Sequence, residues 1–436
     1  MAVPAEVYTF LAYLSQFVKS WWWVPLPFIL WKPFLFLYLW WRVDGWLDKQ
    51  KKVILEIKVP KEMLKPVRAM EQVLSSIHGI VFHPPDWWER WVDGQVQTSL
   101  SFDIVSIAGE IHFYIRVYKQ YRDGVESSIY SQYPEAEITE VDDYTKYVPQ
   151  NIPNKEWNLW ATDYKLLKDD HLPIKTYTQF ETEMEREEEK RVDPISTLAE
   201  ALSKIGPDTQ FWVQILASPT AVDKTTSFSK WLDDGDKLRD KLARREEEGG
   251  NQSPIIQEVS KILITGKTSE PEKKERELIP PEMKLTPGER EVLGALEKKM
   301  SKPCFNTTIR FIWMGRREVW FKSNFRLGFS FFNDFMTLNL NGLVPLGKTI
   351  TKIHKHWFLP VNLLVPRRTY LRCRKILRNY KERLSPFYPR QGGTFILNSE
   401  ELASIYHFPS QAVAPAPGVS RVEAKKGIPP ELPVEE

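Results

Sequence analysis

SLSFDIVSIAGEIHFYIRV, Ser99–Val117, is the stretch whose reading decides the fold. Leu100, Phe102 and Ile104 alternate with Ser101 and Asp103. Beyond Ala108-Gly109, Ile111, Phe113, Ile115 and Val117 alternate with His112, Tyr114 and Arg116. Period-two alternation on both sides of a glycine-bearing break predicts a β-hairpin with one apolar face. Upstream, VILEIKVP (Val53–Pro60) predicts a strand, and Val67, Met70, Val73, Leu74 and Ile77 mark a helix face. Downstream, Tyr121, Val125 and Ile129 recur at helical steps, Pro134 stops that helix, and AEITEV predicts a further strand. The order is β-α-β-β-α-β, the split ferredoxin-like unit, over residues 50–182.

A second αβ region is expected over 190–345. Asp193 caps a helix with Pro194 at its first position, and Leu198, Ala201, Leu202 and Ile205 supply the buried face. QFWVQILAS is a strand. Residues 221–285 carry charge runs such as DKLRDKLARREEEGG, expected to form a solvated helix and a flexible linker. Thr286-Pro287-Gly288-Glu289 is a capping box, followed by a helix, the strand TTIRFIW and a helix from Glu318 to Phe335. TLNLNG is a further candidate strand.

The amino-terminal region has a different composition. Seven of the 17 Trp fall in the first 46 residues, bracketing VPLPFILWKPFLFLYLW. Trp22 to Trp40 spans about 27 Å of helix, close to a hydrocarbon core of about 30 Å. Trp21, Trp22, Trp23, Leu30, Phe34, Leu35, Trp40 and Trp41 are therefore the expected membrane anchor, with tryptophans at both interfaces. Lys32 and the prolines 25, 27 and 33 oppose a simple span, leaving a re-entrant segment as the alternative. Before it, Val7, Phe10, Leu11, Leu14, Phe17 and Val18 predict an amphipathic helix on the bilayer surface. Lys19 alone precedes the span, whereas Arg42, Lys49, Lys51 and Lys52 follow it, which places the amino terminus outside and the remainder in the cytoplasm. The expected topology is α+β: an amphipathic helix plus a transmembrane anchor (1–46), ferredoxin-like αβ modules, and a short αβ end with a Pro-rich disordered tail (393–436).

Chemistry is sparse. Cys304 and Cys373 make neither a disulfide framework nor a zinc spacing, and His354 and His356 lack a third ligand. Gly342, Gly347, Lys348 and Thr349 match the phosphate-loop spacing. Between them Pro345 removes an N–H, and Leu343, Val344 and Leu346 resist the tight turns that Gly supplies, so the match is read as coincidence. No catalytic constellation, metal site or cofactor is expected. Residues 346–392 are basic, and PRRTYLRCRKILRNYKERL predicts a helix with Tyr370, Cys373, Leu377, Tyr380 and Leu384 on one apolar stripe. Arg367, Arg368, Arg372, Arg374, Lys375, Arg378, Lys381 and Arg383 lie on its other faces. They suit phosphates of nucleic acid, anionic lipid, an acidic protein surface or plain solvent.

Several segments together carry a resemblance: KVILEIKVPKEMLKPVRAMEQVLSSIHG, FYIRVYKQYRDGVESSIYSQYPEAEITEV, VDPISTLAEALSKIGPDTQFWVQIL, TLNLNGLVP, ILRNYKER and FILNSEELASIYHFP. They resemble the membrane-anchored amino-terminal region of conjugation-type DNA-transfer ATPases, of the type IV secretion and coupling-protein-like kind in candidate-phyla bacteria. The resemblance implies an adaptor at the bacterial inner membrane, single-pass, that positions a separate P-loop ATPase subunit. It marks Glu400, Glu401, Tyr406, His407 and Phe408 as partner-contact candidates. Nucleic acid and a second copy of the chain are the other expected partners.

Overall fold

The computed structural model describes residues 13, 15–16, 19–21, 23–24, 26–60, 65–184, 193–220, 227–243, 285–353, 364–388, 390, 392–409 and 421–422. The expected surface helix before residue 19, His354 and His356, most of the charged insertion and most of the Pro-rich tail lie outside these residues. The chain forms two compact units: residues 1–51 with 83–97, and residues 52–82 with everything after 97.

The smaller unit is built on α1 (Leu26–Lys49), 24 residues with Pro33 inside and no buried side chain. At 1.5 Å per residue it is about 36 Å long, enough to cross a bilayer. Among the described residues it is the one helix with the length and composition for that. A short π-helix, Glu89–Asp93, packs on it.

The larger unit is an antiparallel sheet covered by helices. Its first half runs β1 (Lys52–Pro60), α2 (Val67–Val81), β2 (Leu100–Ile107), β3 (Glu110–Tyr118), α3 (Arg122–Gln132) and β4 (Glu137–Val141). Its strand order is β4-β1-β3-β2. The second half runs β5 (Trp157–Leu166), α4 (Tyr177–Met184), α5 (Pro194–Ser203), β6 (Thr209–Pro219), α6 (Ser227–Leu242), α7 (Pro287–Met300), β7 (Cys304–Arg316), α8 (Phe325–Asn333) and β8 (Leu343–Pro345). Its order is β6-β7-β5-β8, the same relation of first, second, third and fourth strands read in reverse. Antiparallel pairing of β2 with β6, from Leu100↔Ala217 to Ile107↔Gln210, fuses the halves into one sheet. The regions 50–182 and 190–345 thus share a sheet. The chain ends in α9 (Val365–Lys381), β9 (Phe395–Asn398) paired with β7, α10 (Ser399–Ile405) and β10 (Arg421–Val422) paired with β1.

The hairpin turn explains the register. Ala108 and Gly109 both have positive φ, 53° and 91°, as a two-residue type I′ turn requires. Ala108 adopts the left-handed region at a cost of about 1–2 kcal/mol. At Gly109 a Cβ would also meet the Ile205 and Leu202 carbonyls at 3.2 Å.

One face of the sheet carries the main core. Phe102, Ile104, Ile111, Phe113, Ile115, Phe211, Val213, Ile215, Ile309 and Phe311 pack there against buried residues of α2, α3, α5, α8 and α10. The alternation of Ser101, Asp103, Tyr114 and Arg116 suggests a wet opposite face, but the structure covers it. α9 lays Cys373, Ile376, Leu377 and Tyr380 on Trp212, Ile312, Met314, Leu159 and Ala161. Asp103 there is fully buried.

Three local expectations change. The helix expected from Glu318 begins at Phe325, after a 3-10 turn at Lys322–Asn324, because Arg317 N–H is held by the Glu156 carbonyl. TLNLNG is bends, and the strand is Leu343–Pro345 beyond it. Within the charged insertion α6 is docked: Phe228 and Trp231 are buried, and Trp231 stacks on His171 at 4.6 Å.

Candidate functional site

The anchor residues lie where a bilayer can reach them. Trp21, Trp23, Leu30, Phe34, Trp40 and Trp41 are exposed and Leu35 is half-buried, whereas Trp22 lies outside the described residues. One feature of this unit was missed in the sequence, HPPDWWERW (His83–Trp91). Tyr38 of α1 donates to the Trp91 carbonyl at 3.0 Å. Gly94, at φ 74°, leaves so little room that a Cβ would lie 2.4 Å from the Arg42 carbonyl. The segment is thereby clamped beside residues 38–42, and Trp87 and Trp88 project from it 69% and 62% exposed. The Trp87-Trp88 pair directly after Pro84-Pro85-Asp86 was the available signal.

The basic helix divides. Arg367, Arg368, Lys375 and Arg378 are exposed, and Arg372, Arg374 and Lys381 are half-buried. Tyr370, expected on the apolar stripe, is 44% exposed, and Ile376 takes a buried place instead. Arg383 corrects the expectation of an open basic face. It is buried, donating to the Asp143 carboxylate and lying 3.5 Å from Asp103 Oδ2. Asp103 also accepts from Ser101 and from Tyr144 at 2.8 Å, and Tyr144 shares a 2.8 Å hydrogen bond with Tyr380 of α9. Burial pushes the Asp103 carboxyl up, with the Arg383 charge opposing. Beside it Arg310 Nε donates to Asp163 at 2.6 Å, both fully enclosed. These ions lock α9 to the sheet. Burial also pulls the Lys381 ammonium down to about 8.

The first half of α9 walls a cleft of about 1050 Å³. Its other sides are the 151–155 loop, β5 from Asn158 to Trp160, residues 317–322, and Thr351–Ile353. Lys155, Arg317, Lys322, Lys352 and Arg374 line it, and among the described residues no carboxylate does. None of the five has an ion-pair partner among the described residues. Arg374 lies over the Tyr370 ring at 5.8 Å, and Trp160 stacks on Phe325 at 4.5 Å. The indole N–H groups of Trp160 and Trp320 have no acceptor among the described residues.

The five partner-contact candidates are interior, which corrects their expected role. Glu401 closes the α10 capping box with Asn398, accepts from Ile174 N–H at 2.9 Å, and pairs with fully buried Lys299 at 3.1 Å. Glu400 binds Lys298 and Lys302, which with Thr176 outweigh its burial and hold its carboxyl at about 2. Tyr406 and Phe408 pack with Phe113 in the main core. His407 Nδ1–H donates to the Ala403 carbonyl at 3.0 Å, and its Nε2 lies 2.9 Å from Asp193 Oδ1 at the cap of α5. Burial depresses His407, but the Asp193 charge overcomes this and holds the imidazole above its ordinary value. A surface that is 0–3% exposed cannot receive another chain.

In the phosphate-loop match, Leu343–Pro345 is itself a strand and the following residues form a turn. Thr349 donates to the Leu346 carbonyl at 3.2 Å and accepts from Asp163 N–H at 3.3 Å, while Lys348 lies over the Phe387 ring at 5.6 Å. Asp169, Asp170 and His171 come within 4.8 Å of one another. The imidazole is already used by Asp169 at 2.6 Å and the Trp231 carbonyl at 2.7 Å.

No curated protein matches the sequence. A family model described as a domain of unknown function, DUF8128, matches residues 44–417, from the last turns of α1 to beyond α10, and the chain belongs to that family.

Proposed function

We propose that the protein is a membrane-tethered platform that positions a separate P-loop DNA-translocating ATPase in a type IV secretion or conjugation-like system at the bacterial inner membrane. The observation that carries the tether is α1: 24 residues long, apolar, with no buried side chain. A helix that leaves most of its apolar side chains exposed finds its solvent in lipid. Trp87 and Trp88, clamped beside residues 38–42, sit in the headgroup layer with Trp40 and Trp41, so the anchor is a span plus an interfacial loop. Each half of the sheet is a ferredoxin-like unit, and the pair is a duplication fused edge to edge. Fusion removes two free edges and leaves a wide rigid surface, suited to holding a partner rather than to turnover. The motor as partner rests on the resemblance of the quoted segments to conjugation-type ATPases.

The experiment is co-purification of the tagged full chain from detergent-solubilised membranes of its native host. A P-loop ATPase recovered in near-stoichiometric amount is the expected result. Recovery of the chain alone, with the motor present in the same membranes, overturns the adaptor reading.

A further inference from the structure

We infer that the cleft between α9 and the first residues of β5 is a binding groove for single-stranded nucleic acid. This does not rest on the adaptor reading. Lys155, Arg317, Lys322, Lys352 and Arg374 come from four separate segments of the chain and converge on one space with no acid among its lining residues. Five cations with no ion-pair partner among the described residues give the cleft a positive potential that draws in a polyanion. A solvated basic helix explains charge on α9 but not the arrival of Lys155, Arg317, Lys322 and Lys352 on the opposite walls.

The aromatic content selects among polyanions. Trp320 and Tyr370 lie among the cations, and Tyr370 is 44% exposed. Nucleic-acid bases stack on such rings while phosphates follow the cations, the pattern of sequence-tolerant single-strand binders. Asn151, Asn154 and Asn158 add polar side chains. The volume, about 1050 Å³, holds more than a lone phosphate. Beyond the cleft, exposed Arg367, Arg368 and Arg378 continue the positive surface along α9, a 17-residue helix. That continuity favours a strand over a free mononucleotide. A duplex is disfavoured because the groove offers rings to bases that a duplex keeps stacked.

The test uses the full chain in neutral-lipid nanodiscs and a fluorescein-labelled oligothymidylate of about 15 nucleotides, followed by anisotropy. With about 0.7 counterions released per phosphate contact, five contacts predict affinity falling about 100-fold from about 50 to about 200 mM salt. The variant Lys352→Glu/Arg374→Glu is expected to weaken binding at least tenfold at low salt. The control Lys237→Glu, at an exposed position of α6, stays within about twofold. Ultraviolet cross-linking is expected on peptides containing Trp320 or Tyr370. Salt-independent binding, equal loss in the control, or cross-links confined elsewhere overturns the groove. So does binding of phosphatidylglycerol vesicles through Lys352 and Arg374 with no oligonucleotide binding, which makes the cleft a lipid headgroup site. Equal affinity for mononucleotide and oligonucleotide overturns the strand.

Discussion

Replacing Arg383 with Met removes the counter-charge of a fully buried carboxylate. Asp103 is 0% exposed and keeps two neutral donors, Ser101 and Tyr144, when the guanidinium is gone. Asp143 also loses its partner, but its side chain is 22% exposed and water compensates. Breaking a buried pair from one side costs about 3–5 kcal/mol, and the surviving hydrogen bonds place Arg383→Met near about 3. Asp103→Asn in the same chain removes the orphaned charge, so the double variant is expected to recover about half of that loss. The pH dependence has a definite sign. The Asp103 carboxyl titrates above its ordinary 3.8 when folded, so the native state holds the extra proton and stability falls as pH rises through that window. Without Arg383 the carboxyl rises further, and the deficit of Arg383→Met shrinks on acidification. Urea unfolding of the solubilised chain, followed by tryptophan fluorescence at mildly acidic and mildly basic pH, measures all three quantities. A cost below about 1 kcal/mol, or a deficit that grows on acidification, refutes the role assigned to this ion network.

Other outcomes follow from single contacts. The His407–Asp193 pair contributes fully between the unfolded values of the two groups, 3.8 and 6.5. Its contribution falls as pH rises through the raised value of His407, or drops through the lowered value of Asp193. His407→Gln should flatten the alkaline limb of the stability profile; an unchanged limb contradicts the pairing. Gly328→Ala puts a Cβ 2.6 Å from the Phe311 ring, and thermal unfolding should register a loss of about 1–3 kcal/mol. Trp87→Ser/Trp88→Ser should leave the span inserted but abolish quenching of loop tryptophans by lipids brominated near the headgroup. Unchanged quenching places that pair outside the interface.

The sequence speaks clearly where one rule dominates. The Ser99–Val117 hairpin follows from alternation and a turn, the cap at Asp193-Pro194 and the box at Thr286–Glu289 from local hydrogen bonding. What stays hidden is non-local. Nothing near Ser101, Asp103 and Arg116 tells that their face is covered by a helix beginning at Val365, so a polar alternation that ordinarily means water here means buried ion pairs. The same blindness puts Arg383 on the surface and makes interior clips, Glu400 and Glu401, look like contact residues. The union of two αβ regions through β2 and β6 has no local signature, because any edge strand with a buried face satisfies both futures. The cleft is hidden for a simpler reason: Lys155, Lys352 and Arg374 lie too far apart in sequence for a charge count to gather them.

The tether is the claim on which the proposed function depends, and alkaline carbonate extraction of membranes tests it most directly. Leu30→Arg/Phe34→Arg/Leu37→Arg places three charges in the span at about 2.5–3.5 kcal/mol each, together enough to prevent insertion. The unmodified chain is predicted to stay in the membrane pellet and the triple variant to leave it. Release of the unmodified chain by carbonate contradicts the account.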